Sequence, residues 1–121
     1  MNSIKTAFIA LALVSAPALA EDCSAPEMPA MPDGATSTEA QMIEGMTAVK
    51  DFQAANSDYM QCIQQLLSAA TEAAAGGEVS DEAKAALGAL DAQYNQAVSN
   101  EEELAGQFNT ELREYKAASA Q

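Results

Sequence analysis

Ala73-Ala74-Ala75-Gly76-Gly77-Glu78-Val79-Ser80-Asp81-Glu82, residues 73–82 of a 121-residue chain, is the stretch that decides the fold. An alanine run gives way to two consecutive glycines, which end a helix. Ser80 followed by two acids is the start signal of another: its hydroxyl can cap free N–H groups, and the carboxylates fall at the positive end of the helix dipole. The sequence on both sides is Ala-rich and helix-favouring. Upstream, Met42, Met46, Val49, Phe52, Tyr59, Ile63, Leu66 and Ala70 recur at threes, fours and one seven. That run begins where Thr38 and Gln41 have capping-box spacing and Glu39 occupies the first turn. Downstream, the apolar stripe is Leu87, Leu90, Tyr94, Ala97, Leu104, Phe108, Leu112 and Tyr115. These patterns predict two long helices, over about 38–75 and 81–119, folded back on each other at 76–79.

A reversal at 76–79 makes a numerical prediction, because residues facing each other across an antiparallel hairpin have numbers that sum to a constant. Leu67 with Leu87, Ile63 with Leu90, Tyr59 with Tyr94, Val49 with Leu104, Met46 with Phe108 and Met42 with Leu112 all sum to 153 or 154. Two seven-residue stripes agree at every register seven apart, and the position of the turn selects this one. One layer is weak: Phe52 and Asn56 would face Glu101 and Val98. Asn100 and Glu103 repeat the capping-box spacing there, so the sequence leaves a break in the second helix near Asn100 open.

Ahead of the first helix the character changes. Pro26, Pro29 and Pro32 stand three apart, the repeat of polyproline II, and exclude an α-helix. The same period aligns Met28 with Met31, so that one edge of an extended arm over residues 21–37 can lie on an apolar surface. Asp33-Gly34 reads as a turn. Cys23 and Cys62 are the two cysteines of the chain. The helix from Thr38 to Cys62 measures roughly 36 Å at 1.5 Å per residue. The arm from Cys23 to Ser37 measures roughly 43 Å as polyproline II. The arm can therefore run back along the first helix and be pinned to it by a Cys23–Cys62 disulfide. Closing a loop of this size contributes about 4 kcal/mol in the chain-entropy model.

Residues 1–20 have the form of a removable secretory signal: Lys5 in a basic n-region, an apolar run from Ala7 to Val14, and Ala18-Leu19-Ala20 before Glu21. The run is too short to span a bilayer, and no second apolar segment follows. Glu21 and Asp22 separate Ala20 from Cys23, which argues against a lipid-anchored cysteine. The reading is export to a periplasmic location, or secretion, where the two cysteines oxidise. Beyond residue 20 stand all eighteen acids against four bases, Lys50, Lys84, Arg113 and Lys116, a net charge of −14. Such acidity disfavours nucleic acid and anionic membrane surfaces as partners and serves solubility.

Catalysis is not expected. The chain has no histidine, one arginine and no phosphate-binding glycine loop, and no small-molecule substrate or cofactor is indicated. Catalytic dithiols stand two residues apart at a helix start, whereas Cys23 and Cys62 are 39 apart, which favours a structural disulfide. Met28, Met31, Met42 and Met46 have spacings from which thioethers could hold Cu(I), but methionine at helical spacing is first a core filler. Glu101-Glu102-Glu103, with Glu111 and Glu114, lack the alternating oxygens and glycine of a calcium loop and read as a solvated face. The expected role is therefore that of a non-catalytic structural or protein-interaction protein, docking a partner or a second copy. A holdase-like chaperone is the main alternative and a methionine-based copper buffer the next.

Cys23, Pro26, Pro29, Pro32, Asp33 and Gly34, followed by Val49, Lys50, Phe52, Tyr59 and Cys62, make a Cys-x-x-Pro-x-x-Pro-x-x-Pro-Asp-Gly start and a Val-Lys-x-Phe, Tyr-x-x-Cys helix. In this the chain resembles a family of small, uncharacterised exported bacterial proteins with no known activity. The likeness covers residues 23–62 and implies paired cysteines and a Gram-negative periplasmic setting. Thr38-Glu39-Ala40-Gln41 also resembles the Leu-Thr-x-x-Gln signature of small periplasmic stress chaperones, with Ser37 in place of the leucine.

Overall fold

The computed structural model describes residues 23–121, so the segment read as a secretory signal, with Glu21 and Asp22 of the arm, lies outside the described residues. The described chain is all-helical apart from its arm and turns. Helix α1 is Glu39–Ala74 and helix α2 is Asp81–Ser119, folded antiparallel as a hairpin. At 1.5 Å per residue their 36 and 39 residues give lengths of about 54 and 58 Å.

The helix ends follow from the capping residues. Thr38 Oγ1 accepts the Gln41 N–H at 3.2 Å while Gln41 Oε1 accepts the Thr38 N–H at 2.8 Å, a complete capping box. Ser80 Oγ accepts the Ala83 N–H at 3.1 Å and starts α2. The end of α1 differs from the glycine-based stop expected at Gly76-Gly77. Ala75 stays right-handed and its N–H bonds back to the Glu72 carbonyl at 3.2 Å, and no glycine among the described residues has a positive φ. The last turn simply tightens.

On α1 the buried residues are Met42, Gly45, Val49, Phe52, Asn56, Tyr59 and Ile63, at alternating steps of three and four. This is the 3.5-residue repeat of a seam that stays aligned with a second helix. Ala97 and Leu104 are buried on α2, and Leu87, Leu90, Tyr94, Phe108 and Tyr115 are half-buried. Val49, Phe52 and Leu104 form one cluster, with Phe108 against it. Tyr59, Ile63 and Ala97 form the other, with Leu67, Leu90 and Tyr94 against it. The hairpin register near 153 is thus the observed one.

Two expectations change, and the question left open at Asn100 closes. Met46 is 40 % exposed, and Gly45 takes its place in the layer of Phe108. Val98 is 37 % exposed, and Asn56 faces Ala97 and Glu101 instead. The helix does not break at Asn100: α2 is continuous, with Asn100 accepting from Gln96 at 2.8 Å and Glu103 from Gln107 at 3.1 Å, both within the helix. Because Asn56 turns its amide onto this layer, the polar position is satisfied and the helix has no reason to end there.

The arm lies on one side of the seam. Cys23 is bonded to Cys62, with Cα atoms 5.7 Å apart. Moving along the arm, Met28 and Met31 pack against the Val49–Phe52–Leu104 cluster and Pro32 seats on Gly45. Cys62 to Gly45 spans about 25 Å of helix and Cys23 to Pro32 about 28 Å of polyproline II, which is why the two ends of the arm find these seats without slack. Asp33 then turns the chain into α1. Its carbonyl accepts from Thr36 and Ser37 at 3.2 and 2.9 Å, and its carboxylate accepts the Ala35 N–H at 3.0 Å.

Candidate functional site

The two flanks of the hairpin are unlike each other, and that contrast defines the candidate site. On the arm flank small residues admit a third layer. A Cβ at Gly45 would sit 2.8 Å from the Pro32 ring, so the proline can approach only because no side chain is there. Gly34 is tighter still: a Cβ would overlap the Glu111 carbonyl oxygen and lie 2.9 Å from the Tyr115 nitrogen. Its N–H donates to Glu111 Oε2 at 2.7 Å, tying the end of the arm to α2 by a charge-assisted bond. The arm thus bridges both helices, being joined covalently to α1 at Cys62 and hydrogen-bonded to α2 at Glu111.

Inside the seam, Asn56 is 1 % exposed; its Nδ2 donates to the Ala97 carbonyl and to Glu101 Oε2, both at 3.0 Å. No buried side-chain nitrogen or oxygen lacks a partner among the described residues. A polar pair inside an apolar seam fixes register, because sliding either helix would leave the amide unpaired.

Of the methionines weighed as thioether ligands, Met28 and Met31 are half-buried against the Val49–Phe52–Leu104 cluster, Met42 is buried, and Met46 stands exposed. Three of the four are taken up in packing. The carboxylates of Asp33, Glu111 and Glu114 come within 4.8 Å of one another where the arm meets α2, a donor set suited to a hard divalent cation. Glu111 Oε2 already accepts the Gly34 N–H. Both cysteines are consumed by the disulfide, so no free thiol exists among the described residues.

Among the described residues, the opposite flank has no third layer. Gln53, Met60, Tyr94, Val98, Glu102 and Ala105 border a shallow groove along it. Met46, Gln53, Met60 and Leu67 follow one another at sevens on α1, as do Val98, Ala105 and Leu112 on α2. Ile43, three residues before Met46, extends the same face. Among the described residues the exposed large hydrophobics, Ile43, Met46 and Val98, all fall on this side. Seam-centred reading of the sequence had no means of separating the flanks; the signal was the small residues Gly45 and Ala48 on one and Met46, Met60 and Leu67 on the other.

No helix of the described residues is long and apolar enough to cross a membrane, and the disulfide fits an oxidising compartment. Compared with models of known families, with curated proteins and with solved structures, the chain matches none.

Proposed function

We propose that this is a non-catalytic periplasmic protein that works by docking another polypeptide on the flank its own arm leaves bare. The observation that carries this reading is the placement of Ile43, Met46 and Val98 together on the uncovered flank, 51, 40 and 37 % exposed, while the arm closes the other side. A rigid, disulfide-stapled scaffold with one apolar face suits an interaction role, since little conformational freedom is lost on docking. The signal-like first twenty residues and the resemblance of residues 23–62 to exported bacterial proteins support the location.

Methionine supplies a second reading. Met46 and Met60 on this flank are adaptable side chains of the kind that accept varied apolar partners, which favours a holdase-like chaperone. A photo-crosslinking residue at Val98, in cells exporting the protein, separates the two. Capture of one species in fixed ratio supports the docking role. A broad set of unrelated exported chains supports the holdase, and no capture at Val98 overturns both.

A further inference from the structure

Charge is distributed between the flanks as unevenly as apolar surface. Seen along the helices, positions flanking the seam on the arm side carry Glu44, Asp51, Asp58 and Glu72 on α1 and Glu82, Glu103 and Glu114 on α2, with no lysine or arginine. On the bare flank fall Lys50, Lys84 and Lys116, three of the four bases of the described chain, against Glu39, Asp81, Asp91 and Glu102. The net charge of a molecule this acidic opposes self-association, and this nearly balanced face with its exposed apolar side chains opposes it far less than the arm flank does.

From this distribution we infer that the occupant of the bare flank is a second copy of the chain, giving an antiparallel four-helix assembly; the inference rests on the docking role proposed above. The pairing is specific. A two-fold axis parallel to the hairpin lays α1 of one copy on α2 of the other, antiparallel and in the register already used within each copy. Facing residues then again have numbers summing to about 153. Lys50 meets Glu102 of the second copy, summing to 152, and Lys116 meets Glu39, summing to 155. The two-fold makes each pair occur twice, and Met46 falls opposite Ala105 between them. The opposite arrangement, with the hairpins head to tail, brings α1 onto α1 and leaves Lys50 facing Ser57 and Gln64. The area is sufficient: a face two helices wide and about 55 Å long offers roughly 1,000 Å² per copy, above the roughly 800 Å² of a standard interface.

Sedimentation equilibrium of the full chain, with its arm oxidised, tests the inference. The expected mass is twice that of the chain. Val98→Glu should give a monomer of unchanged helicity. Lys50→Glu should weaken association at least tenfold, and Lys50→Glu combined with Glu102→Lys should restore it, whereas Asp58→Lys on the arm flank should leave it intact. A monomer at every concentration overturns the dimer. If the Val98 crosslinker still captures a different single protein, the docking role stands without it; if it captures nothing, both fall. A dimer broken by Asp58→Lys, or not restored by the charge exchange, overturns the assigned face and register.

Discussion

The two ends of the hairpin are built from one pattern and packed to different degrees. Every buried residue of α1 lies between Met42 and Ile63, and the buried residues of α2, Ala97 and Leu104, face that same stretch. Toward the turn the seam continues with Leu66, Leu67, Ala70, Leu87 and Leu90, leucine-rich yet only half-buried. The difference among the described residues is the arm, which from Cys23 onward lies over the first region. Two helices meeting along a single seam expose the sides of each core residue, and only a third layer closes them off from water. Periodicity therefore places a residue in a seam; what lies over the seam decides how deeply it is buried.

Releasing the arm breaks this contrast most severely. Cys23→Ser should cost about 4 kcal/mol, lowering Tm by roughly 20 °C for a domain of this size. It should also open the arm between Pro26 and Gly34 to proteolysis and bring amide exchange at 42–63 toward the level of the turn end. Exchange unchanged at 42–63 would show that the helices protect themselves. Core truncation compares the ends directly. Leu104→Ala should cost about 3 kcal/mol in denaturant unfolding and Leu87→Ala about 1 kcal/mol, because only the first leaves an enclosed cavity; equal costs would erase the distinction. Next in size is Gly34→Ala, where the new methyl must push the arm off α2 and break the bond to Glu111, at about 2 kcal/mol. The smallest effect has the opposite sign. Gly77→Ala at the turn meets nothing within 4 Å and has no positive φ to lose, so it should raise stability by about 0.5 kcal/mol in the same denaturant assay.

Much of this architecture was legible in the residues. The capping signals at Thr38 and Ser80, the proline spacing of the arm and the turn at 76–79 set both helices, their register and the disulfide, because each depends on local geometry and chain length. What escaped was non-apolar. A search for hydrophobic residues steps from Met42 to Met46 and over Gly45, and it puts Asn56 in a weak layer without the partners that bury it, although strict alternation of threes and fours runs through both. Gly45 is buried because a proline from elsewhere in the chain sits on it, and Asn56 because α2 supplies a carbonyl and a carboxylate. Such reasons reside in tertiary partners, outside any window of the sequence. Gly34 is the same case: its sequence neighbours mark a turn, but its indispensability comes from the backbone of Glu111, 77 residues on.

The bond between Cys23 and Cys62 also ties folding to place. Where thiols stay reduced, the arm is held only by a few side chains and one hydrogen bond, and the hairpin keeps the open seam seen at its turn end. Oxidation locks the arm down, so a compartment in which disulfides form is also one that completes the packing of the seam.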